Sequence, residues 1–278
     1  MENTNNICNT ELELLSKENL FCKILKELDL AEQYLSRIYP SMSIDDMDAY
    51  PLQIIKHIIK TSNTLHSVIE RDKDYIVANI ILRSIVDSLS VLFLIYNERN
   101  IEKKILRHYL YIMDGLNGRI KGFPKNIECD KSQQNEYEER CKVIETYRGA
   151  YEHSKSKIKK LPFYSEKQVK IDKLINKHNW KFISLDKSAK DINRKDNTYS
   201  WKKMYEGLDV KGSAVFSFLS ESVHGLSTSN LFLEIEKDTF EPIYGMSAIL
   251  LDKLNSFIKT YYVQGIAIIK KEFFSDDE

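Results

Sequence analysis

Ser220 and His224 stand one helical turn apart in the segment FLSESVHGLS (218–227). A serine beside an imidazole can lose its proton to the ring and attack an acyl or phosphoryl centre. A carboxylate such as Asp87 would then orient the imidazole. The remaining equipment of a hydrolase is missing: there is no GxSxG elbow, and no oxyanion hole can be named. In the structural alternative, His224 closes its helix near the negative end or bonds a buried carboxylate.

The second constellation is Arg83 and Asp87, the two charges inside the long apolar run 74–96, DYIVANIILRSIVDSLSVLFLIY. With Asn79 and Ser90 they fall in a sector of about 80° on a helix. Facing solvent, they form an ordinary i,i+4 pair in the less favourable order, base before acid. Facing inward, each charge must be paired and hydrogen-bonded, and the neighbouring Ile76, Val86 and Leu94 favour partial burial.

Arg148 and His153 in RGAYEH form an Arg-x4-His spacing. It loosely resembles the ribonuclease motif of the HEPN superfamily, helical domains in which Arg and His act on RNA across a dimer interface. Gly149 replaces the polar residue that often follows the Arg, and a solvated helix face is the plain alternative. Lys155–Lys195 interleaves Phe163, Tyr164, Trp180 and Phe182 among lysines, a composition that could track an RNA backbone and stack on bases. Arginine is nearly missing from it, so a solvated insertion is favoured over RNA binding. Cys8, Cys22, Cys129 and Cys141 include no CxxC pair, so reduced thiols and no metal site are expected. His57 and His66 are expected at the surface or its boundary rather than as ligands. No P-loop, Rossmann fingerprint, HExxH or EF-hand pattern occurs, and no cofactor is expected.

The elements that position these residues are helical. The 74–96 run is about twice the length of a long strand, so the spacing predicts a helix. Crossing a membrane would place Arg83, Asp87 and Asn79 in hydrocarbon, at roughly 2.5–3.5 kcal/mol per charge. A buried helix of a soluble bundle is the reading. Helices are also predicted over 11–39, ended by Pro40, over 51–71 with Pro51 in the first turn, and over 101–120, before Gly122 and Pro124. Further helices are predicted over 135–160, 201–208, 210–223 and 245–274. Residues 231–244 alternate enough to permit a small β-hairpin, and a mobile loop is expected around 186–199.

Nine glycines and five prolines in 278 residues suit an all-α protein with few tight turns. The net formal charge of zero points to neither nucleic acid nor membrane. It conceals an acidic 1–50 and a basic 155–195. The expected organisation is a single helical domain over 1–278. Its core covers 11–120 and 201–274, and 121–200 is a polar, lysine-rich helical insertion. The polar, acidic N-terminus reads as no signal peptide, and a cytoplasmic location follows. A homodimer through an apolar helix face is one expectation for a partner.

Two segments together carry a family resemblance: LRSIVDSLSVLFLI (82–95), and WKKMYEGL (201–208) followed by FSFLSESVHG (216–225). They resemble the bacterial domain-of-unknown-function family 5677, over roughly 51–120 and 201–269. Its members show Arg-x3-Glu on one helix and Tyr…Ser-x2-Val-His later. Arg83 and Asp87 match the first motif, with Asp in place of the commoner Glu. Tyr205, Ser220 and His224 match the second. The resemblance implies an all-helical soluble protein in which Arg83, Asp87 and His224 meet across the bundle. The family has no assigned reaction. A defence-associated, ribonuclease-like or abortive-infection role follows by analogy alone.

Overall fold

The computed structural model describes residues 16–122, 134–209, 212–224 and 237–274. Among these the fold is all-α. The chain divides into two compact units, one of 1–97 with 201–278 and one of 98–200.

In the first unit, α1 (Lys17–Ile38) opens at Ser16, whose side chain accepts the Asn19 amide. Such a cap satisfies one of the helix's unpaired N–H groups. Phe21, Leu25, Leu28 and Leu35, at spacings of three, four and seven, form its buried stripe. Helix α2 (Tyr50–Ser67) carries Pro51 in its first turn, where the missing N–H costs nothing. It runs into a π-helical turn, Val68–Asp72, closed by Lys73 at φ 50°. That turn replaces the regular helix expected as far as Arg71.

Helix α3 (Tyr75–Tyr96) is capped by Asp74, which accepts the Val77 amide at 2.9 Å. Leu82, Ile85, Val86, Leu89, Leu92 and Ile95 are all buried. Each is worth roughly 1.5–3 kcal/mol of hydrophobic transfer. By length and composition α3 could cross a membrane, the one described helix that could, yet half of its apolar window is buried inside the protein. It contacts α2, the short α7 (Trp201–Glu206), α8 (Gly212–His224) and α9 (Glu241–Tyr261). Helix α9 packs mainly on α1, and α10 (Val263–Phe274) follows against α9 and α1.

Gly265 makes the α10–α1 contact possible, because a Cβ there would stand 2.9 Å from Leu35 Cδ2. The hydroxyls of Tyr261 and Tyr262 donate to the Met47 and Asp48 carbonyls at 2.8 and 2.7 Å. These bonds tie the acidic connection between α1 and α2 to the end of α9.

Two sequence expectations change here. The hairpin over 231–244 falls partly outside the described residues (231–236). Lys237–Phe240 is a 3-10 turn, and Glu241 already begins α9 with Pro242 in its first turn. The single helix expected over 245–274 is two helices, α9 and α10, meeting at Tyr262.

The second unit comprises α4 (Ile101–Gly122), α5 (Gln134–Lys159), α6 (Tyr164–Lys177) and the segment 178–200. Its boundary differs from the expected insertion at 121, because α4 packs along α5 and groups with it. Helix α6 was not anticipated. Its apolar positions are few, but Ile171, Leu174 and Ile175 sit on one face and are buried.

The loop expected to be mobile at 186–199 is instead pinned around Asn197, which has no exposed surface. Its Nδ2 donates to the Ser184 and Ile192 carbonyls at 3.0 and 2.9 Å, and its Oδ1 accepts the Ser184 amide at 3.0 Å. One antiparallel bridge joins Phe182 to Thr198. Asn197→Ala strands these buried backbone groups and is expected to cost about 3 kcal/mol. Denaturant unfolding, together with lost hydrogen-exchange protection at the Ser184 amide, checks this.

Candidate functional site

The polar stripe of α3 faces partly inward. Asn79 and Ser90 are fully buried, while Arg83 and Asp87 keep 18% and 34% of their side-chain surface. Helices α7 and α8 cover them. Helix α7 brings Tyr205, with no exposed surface, and α8 brings Ser220 and Phe216.

Within this site the Arg83 guanidinium donates from Nη1 to Ser220 Oγ at 2.9 Å, and its Nε stands 3.7 Å from Asp87 Oδ2. Its plane also lies over the Phe216 ring, 5.4 Å from the centroid. The Tyr205 hydroxyl donates to Asp87 Oδ1 at 2.5 Å, and the Tyr205 and Phe216 rings meet edge to face. Three of the five side chains, Tyr205, Phe216 and Ser220, thus converge on α3 from helices more than a hundred residues later in the chain.

Burial pushes the Asp87 carboxyl above its ordinary value, although the Tyr205 hydrogen bond and Arg83 both pull the other way. Burial, reinforced by the adjacent Asp87, drives the Tyr205 phenol far upward, so it remains a proton donor. Ser220 is occupied as an acceptor of the Arg83 N–H, and the carboxylate meant to orient an imidazole is engaged by Tyr205. Chemically the arrangement is a partly exposed chain of donors and acceptors, with Tyr205 and Arg83 on Asp87 and Arg83 on Ser220. The His224 side chain lies outside the described residues, so its expected meeting with Arg83 and Asp87 lies outside them too.

The other nominated residues are dispersed. Arg148 is exposed on α5 and paired with Glu145 at 2.8 Å. His153, also exposed, is five residues further along α5, about 140° around the helix. The two do not share a face of one chain. In the lysine-rich segment, Phe163, Trp180 and Phe182 are buried, and Trp180 Nε1 donates to Asp114 at 3.1 Å. Those rings offer no exposed stacking platform. Lys167 pairs with Glu102 at 2.6 Å, and Lys170 donates to the Leu185 carbonyl at 2.9 Å.

His57 is exposed and His66 is half-buried, both within the expected surface or boundary positions, and His66 Nδ1 lies 2.9 Å from the Tyr244 hydroxyl. Sequence reasoning passed over the surroundings of His66. The one local signal was the i,i+4 placement of Glu70 behind it. Arg107, 2% exposed and bonded to Glu98, was also missed, since a charge in an amphipathic helix reads as surface. In comparisons with known proteins, the chain matches no family model, no curated protein and no solved structure, so the family resemblance is neither supported nor overturned.

Proposed function

We propose that this chain is a soluble cytoplasmic helical protein whose polar cluster organises its core and performs no hydrolysis. On this reading the Arg83–Asp87–Tyr205–Ser220 network is a clasp holding α7 and α8 on α3, not a hydrolytic centre. The observation that carries the reading is the Tyr205–Asp87 hydrogen bond at 2.5 Å, made by a tyrosine with no exposed surface. A carboxylate needed for general-base work is left open to substrate or imidazole, whereas Asp87 is engaged by a phenol and a guanidinium. Ser220 likewise accepts from Arg83 with no described base at its oxygen. The defence-associated ribonuclease reading rests on the resemblance and on Arg148–His153, and no contact described above favours it.

The test incubates the purified full-length protein with labelled RNA and with simple esters, and measures the unfolding of Ser220→Ala. The expected result is no cleavage, with Ser220→Ala less stable by about 1 kcal/mol, the scale of one hydrogen bond. Hydrolysis that Ser220→Ala abolishes without lowering stability would overturn the reading. So would growth arrest on expression that His153→Ala or His224→Ala relieves.

A further inference from the structure

Glu18 and Cys22 stand one turn apart on α1, and His66 and Glu70 stand one turn apart across the end of α2 and its π turn. Helices α1 and α2 pack together, and the two pairs meet. A carboxylate oxygen of Glu18, a carboxylate oxygen of Glu70 and a ring nitrogen of His66 all lie within 4.8 Å of one another. Cys22 Sγ is 3.8 Å from His66 Nε2. Sulfur and nitrogen bound to one tetrahedral zinc, at about 2.3 and 2.0 Å, stand about 3.6 Å apart. That pair is close to bite distance already, and Glu70, the exposed member of the trio, keeps its second carboxylate oxygen available while Oε1 accepts from Tyr244.

Tyr244 of α9 supplies the outer support. Its hydroxyl is 3.0 Å from Glu70 Oε1 and 2.9 Å from His66 Nδ1. A phenol has one proton, which the carboxylate takes, so Nδ1–H of His66 must donate to the phenol oxygen. In the neutral ring this leaves the Nε2 lone pair directed to the Cys22 side. Metal-bound histidines are oriented by just such a bond from the opposite nitrogen.

A cavity of about 270 Å³ adjoins the cluster, and its lining includes Glu18, Glu70, Glu241 and Tyr244. Lys73 is the one cation among its lining residues, so the balance of charge favours a cation over an anion. The donor chemistry narrows the choice further. Calcium and magnesium take oxygen ligands, whereas imidazole and thiolate beside carboxylates suit a first-row transition ion.

We propose that Glu18, His66 and Glu70, with Cys22 as fourth donor, bind a divalent transition-metal ion of the zinc class. Chelator-treated full-length protein is titrated with Zn²⁺ by calorimetry and with Co²⁺ by absorbance. One equivalent is expected to bind, with visible ligand-field bands and a thiolate-to-cobalt charge-transfer band. His66→Gln should weaken binding at least about 100-fold, and Tyr244→Phe, which removes the outer hydrogen bonds, about 10-fold. Cys22→Ser should retain binding and lose the charge-transfer band. Circular dichroism verifies the helical content of each variant. No stoichiometric binding by the wild-type chain overturns the proposal, as does unchanged affinity in a fully helical His66→Gln. Binding without a charge-transfer band overturns the role of Cys22.

Discussion

Glu98→Ala is expected to destabilise the 98–200 unit by about 3–5 kcal/mol, the scale measured when one partner of a buried ion pair is removed. The reason lies with Arg107, whose side chain retains 3% of its surface. Its Nη1 donates to Glu98 at 2.9 Å and its Nη2 to the Phe182 carbonyl at 2.8 Å, with the Phe182 and Tyr199 rings against the guanidinium. Without Glu98 the cation stays desolvated and loses the carboxylate bonded to its Nη1. Arg107→Met removes the charge together with the need for a counterion and should cost less than Glu98→Ala. A double-mutant cycle read by denaturant unfolding checks the ordering. The pH dependence has a definite sign. Burial opposes ionisation of Glu98, but the Asn100 amide, Arg107 and Lys103 together hold its carboxyl below the ordinary value. The stability that Glu98 contributes is therefore present above the ordinary carboxylate range and is lost as the pH falls through the depressed value.

Asp87→Ala is the second large effect, expected to cost about 3 kcal/mol, because it leaves the buried Tyr205 hydroxyl without its acceptor and Arg83 without its anion. Asp87→Asn keeps an oxygen acceptor for Tyr205 and should recover more than half of that loss. Tyr205→Phe removes the buried hydroxyl itself and should fall between the two. Here the sign of the pH effect reverses. The Asp87 carboxyl titrates above its ordinary 3.8 in the folded protein, so between the two values the folded state binds more protons than the unfolded. Its contribution is fully present below the unfolded value and is lost as the pH rises through the folded one. Comparing the pH profile of stability for wild type and Asp87→Asn isolates this slope, and a slope of the opposite sign would show that Arg83 outweighs burial.

Local periodicity carried much of the fold. The stripes of α1, α2 and α3, the Asp74 run and Pro51 in a first turn are encoded within a few residues of each other, so the helices were legible without partners. Helix α6 was less so, because Ile171, Leu174 and Ile175 are too few to stand out among lysines. The pinned 186–199 loop was also hidden, since its order depends on one asparagine bonding carbonyls on both sides of it.

The same division runs through the candidate residues. The Arg83–Asp87 pair was visible as two charges one turn apart in an apolar helix, whereas the resemblance named Tyr205, Ser220 and His224 and brought only His224 to the pair. That the carboxylate serves a phenol, and that Ser220 accepts from a guanidinium, emerges only when α7 and α8 fold onto α3. Glu18–Cys22 and His66–Glu70 are each unremarkable on their own helices, and Glu18, His66 and Glu70 come together, with Cys22 beside His66, only once α1 lies against α2. A helix's sequence dictates which side chains share a face. What that face meets depends on packing among segments far apart in the chain, and a buried charge or donor acquires its chemistry only from the group that packing sets against it.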